Sequence, residues 1–178
     1  TAGVLYAASL AVQRLPVFPL RQVVVQGSVS QVTRTQLEYV ARTAVSGNFF
    51  TVNVESVRQA FEKLPWVRRV DVRRRWPDAL ELVIEEQVAV ARWRRNEGEY
   101  LLVNFHGELF AAASDASLPM FSGPEGSVAD VLAQHAVFSD ALAPLGRHPV
   151  AVALSSREAW QLRLDDGLVL DLGREEAK

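Results

Sequence analysis

The sequence contains no cysteine, and it has only three histidines and one methionine among 178 residues. The absence of cysteine excludes disulfides, thiolate metal sites and a cysteine nucleophile, and it suits an oxidising compartment. The three histidines, at positions 106, 135 and 148, do not have the spacing of a zinc site. We expect His135 to pack beside a hydrophobic core, because it shares the apolar face of a predicted helix.

The motifs of common catalytic and cofactor sites are also missing. There is no Gly-x-Gly-x-x-Gly fingerprint or P-loop, and no Gly-x-Ser-x-Gly elbow. Glu85 and Glu86 are neighbours on a predicted strand, so their carboxylates point to opposite faces and cannot form a dyad. Asp165-Asp166-Gly167 lacks the other ligands of a calcium loop and is typical of a turn. We therefore expect no catalysis, no metal, no cofactor and no small-molecule substrate.

The two halves of the chain carry net charges of opposite sign. Residues 14–95 contain 14 basic and 8 acidic side chains, whereas residues 96–178 contain 5 and 13. A basic half can indicate nucleic acid or anionic lipid. We interpret these arginines as a solvated strand face, and we expect no nucleic-acid partner, because the stacking aromatics of an RNA-binding sheet are missing.

The strongest structural signal lies between residues 64 and 93. Two runs alternate between apolar and polar residues on either side of Pro77-Asp78, which predicts an antiparallel hairpin. The apolar faces coincide when Trp76 lies opposite Leu80, and a shift by one residue would mix the two faces. In this register we expect Trp76 to be buried against the helix that contains Phe61.

The predicted register also places the charged side chains of the hairpin. Arg75 faces Glu81, a cross-strand pair of a kind worth about 0.2–1 kcal/mol. Glu86 falls in the otherwise apolar phase, opposite Val70. A carboxylate in that phase is either satisfied at a sheet edge or held for a partner.

Helix signals precede the hairpin. A strand is predicted over 20–26, and Thr33 with Gln36 forms a capping box that begins the first helix. Asn53 can cap the second helix, which Pro65 stops. The order strand-helix-helix-strand-strand predicts a three-stranded sheet with both helices on one face, in a domain spanning residues 16–88.

A second, mainly antiparallel β domain with one helix is predicted over residues 89–178. Strands are expected over 88–93, 100–104, 108–111, 150–154, 160–164 and 168–172. Residues 112–126 are predicted to be a long loop, and Ser127 can cap the helix that follows. Asp166-Gly167 predicts a two-residue hairpin turn.

The beginning of the chain is apolar and without charge over residues 2–12. A membrane helix needs about 20 such residues, so this run alone leaves a membrane helix and an ordinary arm both open.

Several sequence motifs stand out in the two domains. In the first domain they are Leu64-Pro65-Trp66-Val67, the residues Trp76-Pro77-Asp78 at the centre of the hairpin, and Ala91-Arg92-Trp93. In the second domain they are Gly123-Pro124-Glu125-Gly126-Ser127 and Trp160-Gln161-Leu162. Together these motifs resemble the FtsQ/DivIB family of bacterial cell-division proteins. One departure is Ala89, which stands where the family usually has proline. The residues that carry the motif structurally are Trp66, Trp76, Pro77, Asp78, Trp93 and Trp160.

The resemblance implies an α+β fold, with a POTRA domain followed by a second periplasmic β domain that lacks its C-terminal strands here. It implies that residues 1–15 are the end of a transmembrane anchor helix in the inner membrane, with the bulk of the chain periplasmic. It also implies a non-catalytic scaffold at the division septum, with FtsB and FtsL as partners and FtsK, FtsW and FtsI nearby.

Partner-binding residues are expected at two places. Glu86, Arg73 and Arg75 lie on the POTRA hairpin. Arg157 precedes Trp160 and matches a basic position of the family's motif, whereas most of the FtsB site implied by the family lies beyond Lys178. The alternative is a POTRA module of an outer-membrane assembly or two-partner secretion protein that binds strands by β-augmentation.

Overall fold

The computed structural model describes residues 19–27, 29–96 and 98–174. The chain divides into two compact units, residues 1–87 and 88–178. The predicted anchor over residues 1–15 lies outside the described residues. Among the residues that are described, no helix is long and apolar enough to cross a membrane.

The first domain has the predicted order of elements. Its strands are β1 (Gln22–Gln26), β2 (Val67–Arg75) and β3 (Ala79–Glu86), and its helices are α1 (Arg34–Ala44) and α2 (Val54–Glu62). The sheet order is β1-β3-β2. Strand β3 pairs parallel with β1 and antiparallel with β2. The parallel pair requires a crossover, which the two helices provide.

The local helix signals act as the sequence predicts. Thr33 and Gln36 form a complete capping box at the start of α1, and the Asn53 side chain accepts a hydrogen bond from the Ser56 N–H at 3.1 Å. These caps satisfy N–H groups that a helix leaves unpaired at its first turn. The apolar stripes of both helices are buried with β2 and β3 in one core, which contains Leu37, Val40, Val57, Phe61, Val70, Leu80 and Leu82.

The predicted hairpin register is wrong by two residues. Leu80 lies opposite Arg74 rather than Trp76, and Glu81 lies opposite Arg73 rather than Arg75. A shift by two keeps every strand side chain on its predicted face, because side chains alternate with period two. The apolar pattern therefore fits both registers equally, and the length of the turn decides between them.

Trp76 is not buried, and its side chain is 74% exposed. Strand β2 ends at Arg75, opposite Ala79, so Trp76-Pro77-Asp78 forms the turn instead of continuing the strand. Arg74, two residues before Trp76, lies on the same face of β2 as Val70 and Val72. Its guanidinium donates from Nε to the Phe49 carbonyl at 3.0 Å and from Nη2 to the Val52 carbonyl at 2.9 Å.

The second domain is a seven-stranded sheet covered by one helix. Its strands are β4 (Ala89–Asn96), β5 (Glu99–Asn104), β6 (Leu109–Phe110), β7 (Met120–Ser122), β8 (Pro149–Leu154), β9 (Ala159–Leu164) and β10 (Val169–Arg174). The sheet order is β10-β9-β8-β7-β4-β5-β6. The helix α3 (Val128–Leu142) packs on a core that includes Trp93, Phe121, Val131, Val152 and Leu162.

Strand β7 corrects the prediction of a continuous loop over residues 112–126. It pairs parallel with β4 and with β8 and joins the two antiparallel parts of the sheet. The Arg92 guanidinium fixes the segment before β7, since its Nη2 donates to the carbonyls of Ser114 and Ala116 at 2.8 and 3.1 Å. A strand of three residues is too short to show a periodic pattern.

Two local predictions in this domain are also wrong. The hairpin between β9 and β10 has a three-residue loop, because the Leu164 N–H donates to the Leu168 carbonyl and only Gly167 in the loop has a positive φ. A two-residue type I′ turn would need two such residues. Ser127 does not cap α3 with its side chain, since its hydroxyl donates to the Pro124 carbonyl at 2.7 Å.

Candidate interaction surfaces

Glu86 holds the segment that leads into α1. Its Oε2 accepts hydrogen bonds from the Ser30 N–H and hydroxyl at 2.7 and 3.0 Å. Its Oε1 accepts from the N–H groups of Gln31 and Val32 at 2.9 and 2.8 Å. Partial burial acts to raise the pKa of Glu86, but these bonds to the charged form outweigh it and hold the pKa below its usual value.

The geometry explains the carboxylate in an apolar strand phase. Glu86 lies opposite Val67 next to a β-bulge, not opposite Val70. Without the Glu86 carboxylate, the backbone N–H groups of Ser30, Gln31 and Val32 would be unpaired close to the core. The side chain is therefore engaged within its own domain, and its role as a partner contact stays a prediction.

Arg73 and Arg75 lie on the face of β2 away from the helices. Arg73 donates from Nη2 to Asp71 Oδ2 at 3.1 Å, and both side chains are exposed. Arg75 is exposed at the end of the strand, and within the described ranges no carboxylate forms an ion pair with it. The two arginines remain candidate partner contacts.

Arg157 lies in the exposed turn between β8 and β9. Its backbone N–H donates to the Ser155 hydroxyl at 3.3 Å, and the side chain is exposed. Beside this turn, a groove of about 420 Å³ is lined by Asp130, Ala133, Gln134, Leu154, Glu158 and Trp160. Trp160 is half-buried and meets Phe138 edge to face, with ring centroids 6.0 Å apart. The turn and the groove together form a polar surface with an aromatic wall.

Strand β10 is the outermost strand at this end of the sheet, among the residues that the structure describes. Val169 and Leu172 on this strand are 49% and 50% exposed. An edge with exposed apolar side chains and unpaired backbone groups can accept another strand. The alternating pattern predicted the strand, but sequence reasoning missed that its apolar side chains are exposed, because exposure depends on which neighbours cover the edge.

The other tryptophans of the motif are structural. Trp93 is 6% exposed in the core of the second domain. Trp66 is half-buried against the core of the first domain, and its carbonyl accepts the Gln87 N–H at 2.8 Å. Pro77 is exposed in the β2–β3 turn, where Asp78 uses its carbonyl to accept the Arg21 N–H at 2.8 Å.

His135 packs as the sequence predicts. Its ring lies 5.0 Å from that of Phe121, and Nε2 is 3.3 Å from the Pro149 carbonyl. Burial lowers the pKa of His135, and the contact with the carbonyl opposes this in part. Across the part of the chain that is described, no three His, Cys, Asp or Glu side chains are grouped to hold a metal ion.

The strand-helix-helix-strand-strand order and the β1-β3-β2 sheet define a POTRA domain, and residues 18–87 match the family model described as POTRA domain, FtsQ-type. Residues 91–178 match the model described as cell division protein FtsQ/DivIB, C-terminal. The chain belongs to the FtsQ/DivIB family of cell division proteins. This confirms the resemblance seen in the sequence, and the match over the second domain favours it over the outer-membrane alternative.

Three relatives, each named cell division protein FtsQ, illustrate the similarity. The protein of Nitrosospira multiformis is 45% identical over 166 residues, which are 90% of this chain and 69% of the relative. That of Burkholderia pseudomallei is 40% identical over 90% of this chain and 64% of the relative. That of Bordetella pertussis is 37% identical over 98% of this chain and 66% of the relative. The chain thus spans about two thirds of the length of these relatives.

Proposed function

We propose that this chain is a non-catalytic scaffold of the division machinery at the septum. Its N-terminal residues anchor it in the inner membrane as a single span, and its two domains lie in the periplasm. It binds FtsB and FtsL, and through them it helps to position FtsW and FtsI for septal wall synthesis. Membership of a cell-division family supports the role, and the open edge at β10 supports the mode of binding.

The edge of β10 carries the proposal on partner binding. An extended partner segment that pairs with an edge strand gains main-chain hydrogen bonds, while alternate side chains supply specificity. On β10 the exposed side chains of Val169 and Leu172 offer apolar contacts. In the family the strands beyond this point continue the sheet, so we place the greater part of the FtsB site on those strands.

Arg157 extends this surface with a positive charge. It projects from the turn that leads into β9, next to the groove walled by Trp160. An acidic side chain of FtsB would gain an ion pair there, a contact worth about 0–1 kcal/mol at an exposed site. Glu86, Arg73 and Arg75 remain further candidate contacts on the POTRA domain. Arg73 and Arg75 lie near the β2–β3 turn, and Glu86 lies at the other end of β3.

The test compares two chains in calorimetry with a peptide from the periplasmic part of FtsB. We expect residues 1–178 to bind weakly or not at all. A chain extended through the C-terminal strands of the relatives should bind tightly. Equal affinity of the two chains would contradict the placement of the site.

A charge reversal sharpens the test on the extended chain. Arg157→Glu should weaken FtsB binding, whereas Arg42→Glu should leave it unchanged. Arg42 is also an exposed arginine, but it lies on α1 of the first domain and not in the domain of strands β8 to β10. Equal losses in the two variants would indicate a general charge effect and contradict a specific role for Arg157.

A further inference from the structure

Three segments of the POTRA domain meet at one end of its sheet. Pro19 forms an isolated bridge with Asn48. The Arg21 N–H donates to the Asp78 carbonyl at 2.8 Å. The guanidinium of Arg74 binds the carbonyls of Phe49 and Val52. These contacts join the point where the chain enters the domain, the loop between α1 and α2, and the β2–β3 turn, in a region that we call the entry end (residues 19–21, 48–52 and 74–78).

The entry end exposes aromatic side chains. Trp76 is 74% exposed and Phe50 is 47% exposed, and Pro77 between the strands is exposed as well. A large exposed tryptophan at the tip of a hairpin contributes little to a core, and it loses favourable burial as long as it stays in water. Its exposure close to that of Phe50 makes the entry end a candidate contact surface.

The charges of the entry end are predominantly positive. Arg21 and Arg75 are exposed, and among the described residues neither forms an ion pair. Arg74 is used internally by the loop carbonyls. Asp78 is the one acidic residue of the three segments and is half-buried. Tryptophan combined with arginine is the composition that favours the boundary between lipid and water.

Chain length brings this surface close to a membrane. The inference rests on the proposed function, in which the anchor helix ends at residue 15. Three residues, 16–18, then separate the anchor from Pro19, and the four Cα–Cα steps from residue 15 to residue 19 span at most about 14 Å. This is about twice the depth of the headgroup layer on one side of a bilayer, which is about 5–8 Å, so the entry end cannot lie far from the lipid surface.

We propose that the entry end of the POTRA domain rests on the membrane surface. Trp76 and Phe50 insert into the interfacial layer, and Arg21 and Arg75 lie against anionic phospholipid headgroups. The contact would fix the direction of the domain relative to the bilayer. Glu86 and the segment that it binds lie at the other end of β3, eight residues from the turn, and would point away from the membrane.

Quenching by brominated phospholipids tests this contact. The chain, extended at its N-terminus by the rest of the proposed anchor helix, is reconstituted into vesicles of phosphatidylglycerol and phosphatidylcholine, and flotation confirms that it is bound. We expect the lipid to quench a component of the tryptophan emission that disappears in Trp76→Phe. The other three tryptophans, of which Trp93 is in the core and Trp66 and Trp160 are half-buried, remain in both proteins as an internal reference.

Matched variants separate the lipid contact from other effects. The double variant Arg21→Gln and Arg75→Gln should reduce the quenching of Trp76, as should vesicles of phosphatidylcholine alone. Arg163→Gln in the second domain and Tyr39→Ser on α1, each a change at another exposed side chain, should not.

The outcomes distinguish the inference from the function on which it rests. If the chain floats with the vesicles and Trp76→Phe is quenched to the same extent as the unchanged chain, the contact is refuted and the anchor stands. If the chain does not float, the anchor itself fails, and the inference fails with it. Equal quenching on neutral and anionic vesicles would overturn the role of the arginines.

Discussion

The two domains differ in how much of the β-sheet is covered by helices. In the first, two helices lie over three strands, and the core is closed on that face. In the second, one helix of 15 residues, about 22 Å long, serves seven strands. It packs on β7 and β8, at the middle of the sheet. The outer strands therefore keep apolar side chains in solvent, as β10 does with Val169 and Leu172.

This difference separates two kinds of exposed hydrophobic residue. On β10 the exposure follows from missing cover at a sheet edge, and a further strand would remove it. At the β2–β3 turn the exposure of Trp76 follows from local geometry, because the residue has left the sheet. The β10 edge therefore suits a partner strand that pairs with its backbone. The exposed turn at Trp76 suits a partner that makes no backbone pairs.

Removing a central aromatic ring from one domain should have the largest effect on stability, and it tests whether the two cores are independent. Phe61 and Phe121 are fully buried in the first and second core. Phe61→Ala should cost about 3–5 kcal/mol, and hydrogen exchange should lose protection in residues 22–86 but not in residues 89–174. Phe121→Ala is the mirror control. Loss of protection in both domains from either change would show that the cores are coupled.

Glu86→Gln should have an intermediate effect, confined to the first domain. The amide keeps one acceptor oxygen but cannot accept the bonds now made to the second oxygen, so we expect a loss of about 1–3 kcal/mol in unfolding free energy. The folded pKa of Glu86 lies below the reference value of 4.5. Its stabilisation is therefore present above that value and decreases as the pH falls through the folded pKa.

Denaturation at two pH values checks both parts of this prediction. The difference between the unchanged chain and Glu86→Gln should be largest at neutral pH and should shrink in acid. Glu38→Gln is a suitable control, since Glu38 pairs with Arg34 on the exposed face of α1 and such pairs contribute about 0.3–0.5 kcal/mol. A pH-independent difference would contradict a role for the charged carboxylate.

Trp76→Ala should have the smallest effect on stability. Substitutions of exposed residues outside special features usually change it by about 0.5 kcal/mol or less, and Trp76 is exposed. A thermal melt in the absence of lipid should move by a degree or two at most. A loss of several kcal/mol would show that the ring is buried, as the sequence had suggested, and would remove the basis for a membrane contact.

Local signals allowed most of the first domain to be predicted. The caps at Thr33 and Asn53 act within three residues, and the alternation around the β2–β3 turn fixes which face is buried. The same alternation cannot distinguish two strand registers that differ by two residues, so it could not predict that Trp76 lies in the turn. The partners of Glu86 are 54–56 residues away, and only the assembled fold brings them to it.

The second domain was less accessible to sequence reasoning. Its hairpins carry local turn signals, and the strands β8, β9 and β10 were predicted. The strand β7 was missed, because its pairing depends on Arg92 and Ala151, which are 28 and 31 residues from Met120. Of the candidate contacts, Arg157 could be placed in a turn from the sequence, but the groove beside it needs α3 in position.

Strand β7 has a consequence for how this domain forms. The strands β4, β5 and β6 are joined by short connections, and so are β8, β9 and β10, so each set can assemble quickly from contacts that are close in sequence. Among the residues that the structure describes, only the three residues of β7 join the two sets into one sheet. Joining the two sets requires residues 111–119 and 123–148 to close around β7, so we expect it to be a late step of folding.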